Sequence, residues 1–148
     1  MQGKPRGGIV FMLMRRVSAY QAYPLLRAVF KSRDEAEKAR SLYLNELAQK
    51  DPFETQLYRD EFDVSEDTKI VELGIHGVYE STVFLLVERS EAFGQCDAKL
   101  RGAFAKEADA QKAEEAFEND ADFACWCDVV KVELGVIKKG LGYLETHY

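Results

Sequence analysis

The amino-acid sequence repeats itself once, and this repeat constrains the fold more than any other feature of the chain. The matched segments occur in the same order in both halves, at offsets of 73, 74 and 61 residues. They are 10–16 with 83–89, 27–40 with 101–114, and 71–75 with 132–136. In the first pair, four of the seven positions are identical. Self-similarity of this kind indicates one structural unit used more than once.

Each half is predicted to form a strand, a second strand, a helix and a third strand. The first segment has the apolar, β-branched pattern of a strand, and the second begins as a strand at 25–31 or 100–105. The first helix starts at Ser32, where Glu35 completes a capping box, and it ends before Pro52. A shorter helix is expected in the second half. The predicted buried stripes are Ala36, Ala39, Tyr43 and Leu47 in the first helix, and Ala110, Ala113 and Phe117 in the second.

The expected fold is therefore α+β, built from internally duplicated strand–strand–helix–strand units with mostly antiparallel sheet and two helices. A chain of 148 residues can bury one hydrophobic core, so we expect a single domain, 1–148. It would contain two pseudo-symmetric halves, 9–75 and 82–136, closed by Gly74 and Gly135, and a C-terminal tail, 137–148. Two arrangements stay open, because the halves can share one sheet or pack face to face.

Composition narrows the class of protein. Apolar residues make up 47% of the chain, which argues against disorder, and the net charge is −6. A general nucleic-acid binder needs a basic surface, so no nucleic acid is expected as a partner. The apolar run 9–14 is shorter than a signal-peptide core, and no segment approaches the length of a membrane span. Three cysteines cannot all pair within one chain. These features favour a soluble, cytoplasmic protein without a membrane partner.

The two halves differ by an acidic insertion. Between the second and third matched segments the first half has 13 additional residues, which fall in a longer helix and in 51–68. Function often lies in loops added to a regular scaffold, and opposite charge steers association. We therefore expect a docking surface for a basic protein partner, with these partner-binding residues: Asp60, Glu61, Phe62, Asp63, Glu66 and Asp67. A solvated surface loop and a calcium site are the alternatives, although the glycine of an EF-hand loop is missing.

A second hypothesis is a small-molecule-binding module with a pocket between the two halves, because clefts between repeated units are common ligand sites. Its candidate residues are Arg27, Phe30, His76, Arg101 and Phe104. A third hypothesis is an enzyme that uses His76 as a general acid or base, whereas an exposed turn residue is the simpler interpretation of His76. The chain contains no nucleophile elbow and no phosphate-binding loop. We therefore expect no catalytic residues, and a non-catalytic protein-binding or regulatory module is the leading hypothesis.

The cysteines and the repeated charges complete the candidates. Cys125 and Cys127 lie two apart in a strand-like run, so both thiols face one side and Trp126 faces the other. Zinc sites usually use pairs with two to four intervening residues, so core packing is the expected role, with no metal and no cofactor. Three charged residues of the first half have a residue of the same charge at the matching position of the second half, which predicts surface ion pairs or a polar groove. The matching positions are Arg16 and Arg89, Arg27 and Arg101, and Glu72 and Glu133.

Overall fold

In the part of the chain that the structure describes, there are two antiparallel three-stranded sheets and two α-helices. The computed structural model describes residues 8–15, 25–47, 68–92, 95–120 and 125–138. Strand order is β2-β1-β3 in the first sheet and β5-β4-β6 in the second, and every ladder is antiparallel. The elements are β1 (Ile9–Arg15), β2 (Leu25–Phe30), α1 (Arg33–Leu42), β3 (Thr68–Gly74), β4 (Thr82–Ala92), β5 (Gln95–Phe104), α2 (Glu107–Asp120) and β6 (Cys125–Glu133). The α+β prediction is confirmed, as is the order strand, strand, helix, strand in each half.

Helix α1 begins where its capping sequence predicts. The backbone N–H of Glu35 donates to the hydroxyl of Ser32 at 3.2 Å, which satisfies one of the amides that the first turn leaves open. The regular helix ends at Leu42, and a five-residue π-helical turn, Tyr43–Leu47, follows. Together α1 and this turn form a helical segment of 15 residues, 33–47, against 14 residues in α2, so the described helical segments of the two halves are nearly equal in length.

The two halves also share an irregularity of the backbone. In the β1–β2 ladder Leu13 pairs with Ala28 and Met14 with Leu26, so the register skips Arg27 and forms a bulge there. In the β4–β5 ladder the residue skipped in the same way is Arg101, its match in the repeat. An inserted residue bends a strand and increases its twist, and such bulges are specific features of a fold. The matched bulges agree with the sequence repeat, and a duplicated ancestral unit is our interpretation of both.

The two sheets pack face to face and share the main apolar core. Alternate residues of β1 and β4 meet in this core, which resolves the choice that the sequence left open: Val10, Met12 and Met14 from β1, and Val83, Leu85 and Val87 from β4. β2 lies against β6, and β3 lies against β5. A second cluster, which includes Leu13, Phe30 and Tyr43, lies between the first sheet and α1. Helix α2 covers the second sheet, so the layers run helix, sheet, sheet, helix.

The chain crosses between the sheets at two places, and each crossing covers the edge of a strand. After β3, the backbone of His76 bridges the end of β5 in parallel fashion, bonding to Ala103 and Ala105. After β6, the chain turns at Gly135 and runs back along the outer edge of β2, antiparallel to it. Exposed strand edges invite pairing with other chains, so covering them protects the monomer. The second crossing includes Ile137 and Lys138, the described part of the predicted C-terminal tail.

Truncating the shared core tests its contribution to stability. Leu85→Ala removes a completely buried side chain from the layer between the sheets. We expect the free energy of unfolding to fall by about 2–5 kcal/mol, through lost burial and a residual cavity. Urea denaturation followed by circular dichroism measures the change. Val78→Ala is the control, because Val78 is 72% exposed and its truncation should change stability by less than about 0.5 kcal/mol. Equal losses in both variants would contradict the assigned core.

Candidate functional site

The acidic insertion lies between Leu47 and Thr68 in the chain. We call the part of the scaffold where it is attached, the C-terminal end of α1 with its π-helical turn and the start of β3, the base. The side chain of Arg40 donates from Nε to the carbonyl of Thr68 at 2.8 Å. This bond ties the helix directly to the first residue of the strand. Both ends of the insertion are therefore anchored to the same part of the scaffold.

A buried arginine and a tyrosine form the centre of this base. Arg15, the last residue of β1, is almost completely buried, and its Nη1 donates to the hydroxyl of Tyr43 at 3.0 Å. Its guanidinium carbon also lies 5.4 Å from the centre of the Tyr43 ring. A buried charge requires such partners, because removing it from water is otherwise costly. The pair fixes the π-helical turn, from which the insertion continues, against the end of β1.

The predicted partner-binding residues themselves, Asp60, Glu61, Phe62, Asp63, Glu66 and Asp67, lie outside the described residues. The same holds for Arg16, one of the repeated charges. For the insertion, the structure therefore gives the position of its two ends, and the docking surface remains a prediction. Its location between α1 and β3 agrees with the boundary drawn from the sequence offset.

The five pocket candidates occupy different parts of the fold. His76 is exposed, and its ring stacks on Phe104 with centroids 5.0 Å apart and an interplanar angle of 21°. Phe30 belongs instead to the cluster beneath α1 on the other sheet. Arg27 is completely buried and donates from Nη1 to the carbonyl of Lys138 at 2.9 Å. Arg101 is exposed, and its guanidinium carbon lies 5.8 Å from the centre of the Phe117 ring. Of the five, the structure brings His76 and Phe104 into contact.

The repeated charges form ion pairs on the outer parts of the sheets. Nε of Arg101 on β5 lies 3.4 Å from Oε1 of Glu88 on β4. Glu72 of β3 faces outward, as its position in the strand predicts, and lies 3.7 Å from Arg33 of α1. Exposed pairs of this kind contribute tenths of a kcal/mol. Glu133, the match of Glu72 in the repeat, is also exposed.

Arg89 makes a different kind of ion pair. Its side chain is largely buried, and its Nε lies 2.5 Å from Oδ2 of Asp128 on the neighbouring strand β6. Sequence reasoning missed this partner, as it missed the contact of Arg15 with Tyr43. The signal was an arginine at the end of an apolar strand pattern, because a charge that becomes buried there needs a polar partner.

Two of the three cysteines lie on β6, on either side of an exposed aromatic residue. Cys127 is buried and Cys125 is partly buried, while Trp126 between them is 38% exposed. The alternation of side chains along the strand is the predicted one. Within the described ranges, no group of three or more histidine, cysteine, aspartate or glutamate side chains converges on one point.

Comparisons with known proteins give this chain no relative. No protein-family model, no curated protein and no solved structure matches it. Among the described helices, none is long and apolar enough to span a bilayer. Any functional statement therefore depends on the residues of this chain alone.

Replacing the tyrosine at the base of the insertion tests the buried contact. Tyr43→Phe removes the hydroxyl that accepts from Arg15 and retains the ring. We expect the free energy of unfolding to fall by about 1–3 kcal/mol, because a buried guanidinium loses an acceptor. Urea denaturation measures this loss. Tyr79→Phe is the matched control: its hydroxyl donates to the carbonyl of Ile9 at 2.9 Å, a neutral bond worth about 0.5–1.5 kcal/mol. A smaller loss at Tyr43 than at Tyr79 would contradict the assignment.

Ionisation of the Tyr79 hydroxyl makes the stability of the folded state depend on pH. Burial, and secondarily the charge of Glu35, raises the pKa of Tyr79 above its ordinary value of 10.0. The folded state thus favours the protonated phenol, so the stabilisation is complete below pH 10 and is lost as pH rises through the higher folded pKa. Ultraviolet titration of the wild-type protein minus Tyr79→Phe should show one phenol that ionises above pH 10. A difference curve centred at or below pH 10 would contradict this prediction.

Proposed function

We propose that this protein is a non-catalytic module that docks a basic protein partner through its acidic insertion. The observation that supports the proposal is the distribution of charge. Residues 51–67 contain seven acidic side chains and one arginine, so this segment has a net charge of −6, equal to that of the whole chain. The remaining 131 residues are therefore neutral overall. Such a segregation gives the molecule a directional field that a basic partner follows during encounter.

The scaffold supports this role because it fixes where the insertion begins and ends. The bond from Arg40 to Thr68 and the contact of Arg15 with Tyr43 hold both ends against the first sheet. A segment with two anchored ends loses less conformational freedom on binding than a free tail does. The aromatic residues of the insertion, among them Phe53, Tyr58 and Phe62, would supply the apolar part of the contact, since aromatic side chains are frequent binding hot spots.

The first experiment identifies the partner and its dependence on salt. The tagged protein is used to isolate bound proteins from a lysate of its native host at low and at moderate salt. We expect one stoichiometric, basic protein that is lost as the salt concentration rises, because screening weakens exposed charge pairs. Recovery of the protein alone at both concentrations would contradict the proposal.

A pair of charge-matched variants then locates the docking surface. The test variant combines Asp60→Lys, Glu61→Lys and Asp63→Lys. The control reverses three exposed acids elsewhere, Glu37, Glu80 and Glu115, so that both variants have the same net charge of zero. We expect the association rate with the partner at low salt to fall by about 10-fold or more in the test variant only, with a weaker salt dependence. Stopped-flow or surface plasmon resonance measures both rates. Equal slowing in the two variants would indicate a general effect of charge and contradict the location.

A further inference from the structure

The segment after β6 covers the edge of β2 through a small, well-defined set of contacts. We call residues 136–138 the strap. The N–H of Gly135 donates to the carbonyl of Val29 at 2.8 Å, and the N–H of Lys138 donates to the carbonyl of Arg27 at 2.8 Å. The guanidinium of Arg27 donates in return to the carbonyl of Lys138 at 2.9 Å. Ile137 packs against the cluster beneath α1. The strap thus belongs to the second half in sequence and to the first sheet in its contacts.

An uncovered β2 edge would be costly. Its sequence, LLRAVF, is apolar apart from Arg27, and the bulged Arg27 is completely buried. Removing the strap would take away a carbonyl that accepts from this buried cation, and it would leave backbone N–H and C=O groups exposed along an apolar strand. The β2 edge is therefore expected to be occupied in every stable form of the protein.

The connection between β6 and the strap is unusually short. A two-residue turn, Leu134 and Gly135, reverses the chain, and Gly135 has a φ angle of +84°. This left-handed conformation is open to glycine and costs other residues about 1–2 kcal/mol. If the turn opened, β6 would continue in its own direction and carry the strap away from β2 of its own chain. Short hinges of this type favour the exchange of a terminal segment between molecules.

We propose that the strap exchanges between two copies of this chain, so that each copy covers the β2 edge of the other in a symmetric dimer. The occupant of the edge is the same sequence in both forms, so the two bonds between Arg27 and Lys138 and the packing of Ile137 are retained, whereas the bond from Gly135 to Val29 belongs to the turn. The forms differ only in the turn at 134–135, which is bent in the monomer and extended in the dimer. An exchange of identical contacts is a low-cost route to a dimer. This inference is independent of the proposed docking function, although a dimer would present two acidic insertions.

Substitution of Gly135 tests the exchange, because it affects the bent turn selectively. In Gly135→Ala the added Cβ meets nothing within 4 Å, so the substitution acts through the φ angle and not through a clash. The bent turn is disfavoured about 5-fold in each chain, and opening two turns raises the dimer association constant about 30-fold. Gly74→Ala is the matched control at the equivalent site of the first half. Its Cβ also meets nothing within 4 Å, and its φ angle lies outside the left-handed region.

The measurement is the oligomeric state after refolding from urea at a millimolar chain concentration, by size-exclusion chromatography with light scattering. We expect a dimer in Gly135→Ala, at a much higher fraction than in the wild-type protein or in Gly74→Ala. A monomeric Gly135→Ala, or equal dimer fractions in the two alanine variants, would overturn the proposal.

A second pair of variants establishes that the strap forms the dimer contact. In the Gly135→Ala background, Ile137→Asp places a charge where the strap packs against the α1 cluster in both forms. We expect the strap to be released from the β2 edge in both, so that the dimer, which the strap alone holds together, separates into monomers. Val136→Asp is the control, because Val136 is 47% exposed and its side chain contributes little packing. A dimer that persists in Ile137→Asp would show association through another surface and would overturn the exchange model.

Discussion

The structure depends on the mutual burial of two sheet faces. A three-stranded sheet with one helix on its outer side leaves its inner face apolar and open, and the described residues of each half include no second helix that covers it. Packing the two inner faces together buries the valines and leucines of β1 and β4 in one layer. Because burial of apolar surface is the largest favourable contribution to folding, neither half is expected to be stable without the other. The core between the two sheets follows from this requirement.

The two chain crossings are not equivalent, and the difference determines which of two matched arginines is buried and which is exposed. Arg27 and Arg101 occupy the same bulge in their respective halves. After β3 the chain bridges only the far end of β5, so Arg101 stays exposed and pairs with Glu88. After β6 the chain turns back along β2 and covers Arg27 completely. One residue type in one backbone context therefore has two environments, set by the segment that follows the third strand.

This asymmetry also marks the limit of what local sequence patterns can predict. Alternation of apolar residues and the capping sequence at Ser32 are local signals, and they predicted the strands, the start of α1 and the antiparallel α+β class. The face-to-face packing, the two bulges and the strap depend on contacts between residues far apart in the chain. The partners of Arg15 and Arg89 also lie far away in the chain. A buried charge needs a polar partner, but the local sequence does not show which residue supplies it. For the candidate site, the sequence located the insertion, and the structure added the base that holds it.

The distribution of charge and the distribution of buried contacts point to a division of roles within the chain. In the described scaffold, four arginines are engaged in internal contacts: Arg15 with Tyr43, Arg33 with Glu72, Arg40 with Thr68, and Arg89 with Asp128. Outside 51–67 the positive and negative charges balance, which limits the long-range field of the scaffold. The uncompensated charge lies in the one segment that the second half lacks. The second half forms the same strand–strand–helix–strand unit without this segment, so the unit does not require the segment, which agrees with the docking role that we propose for it.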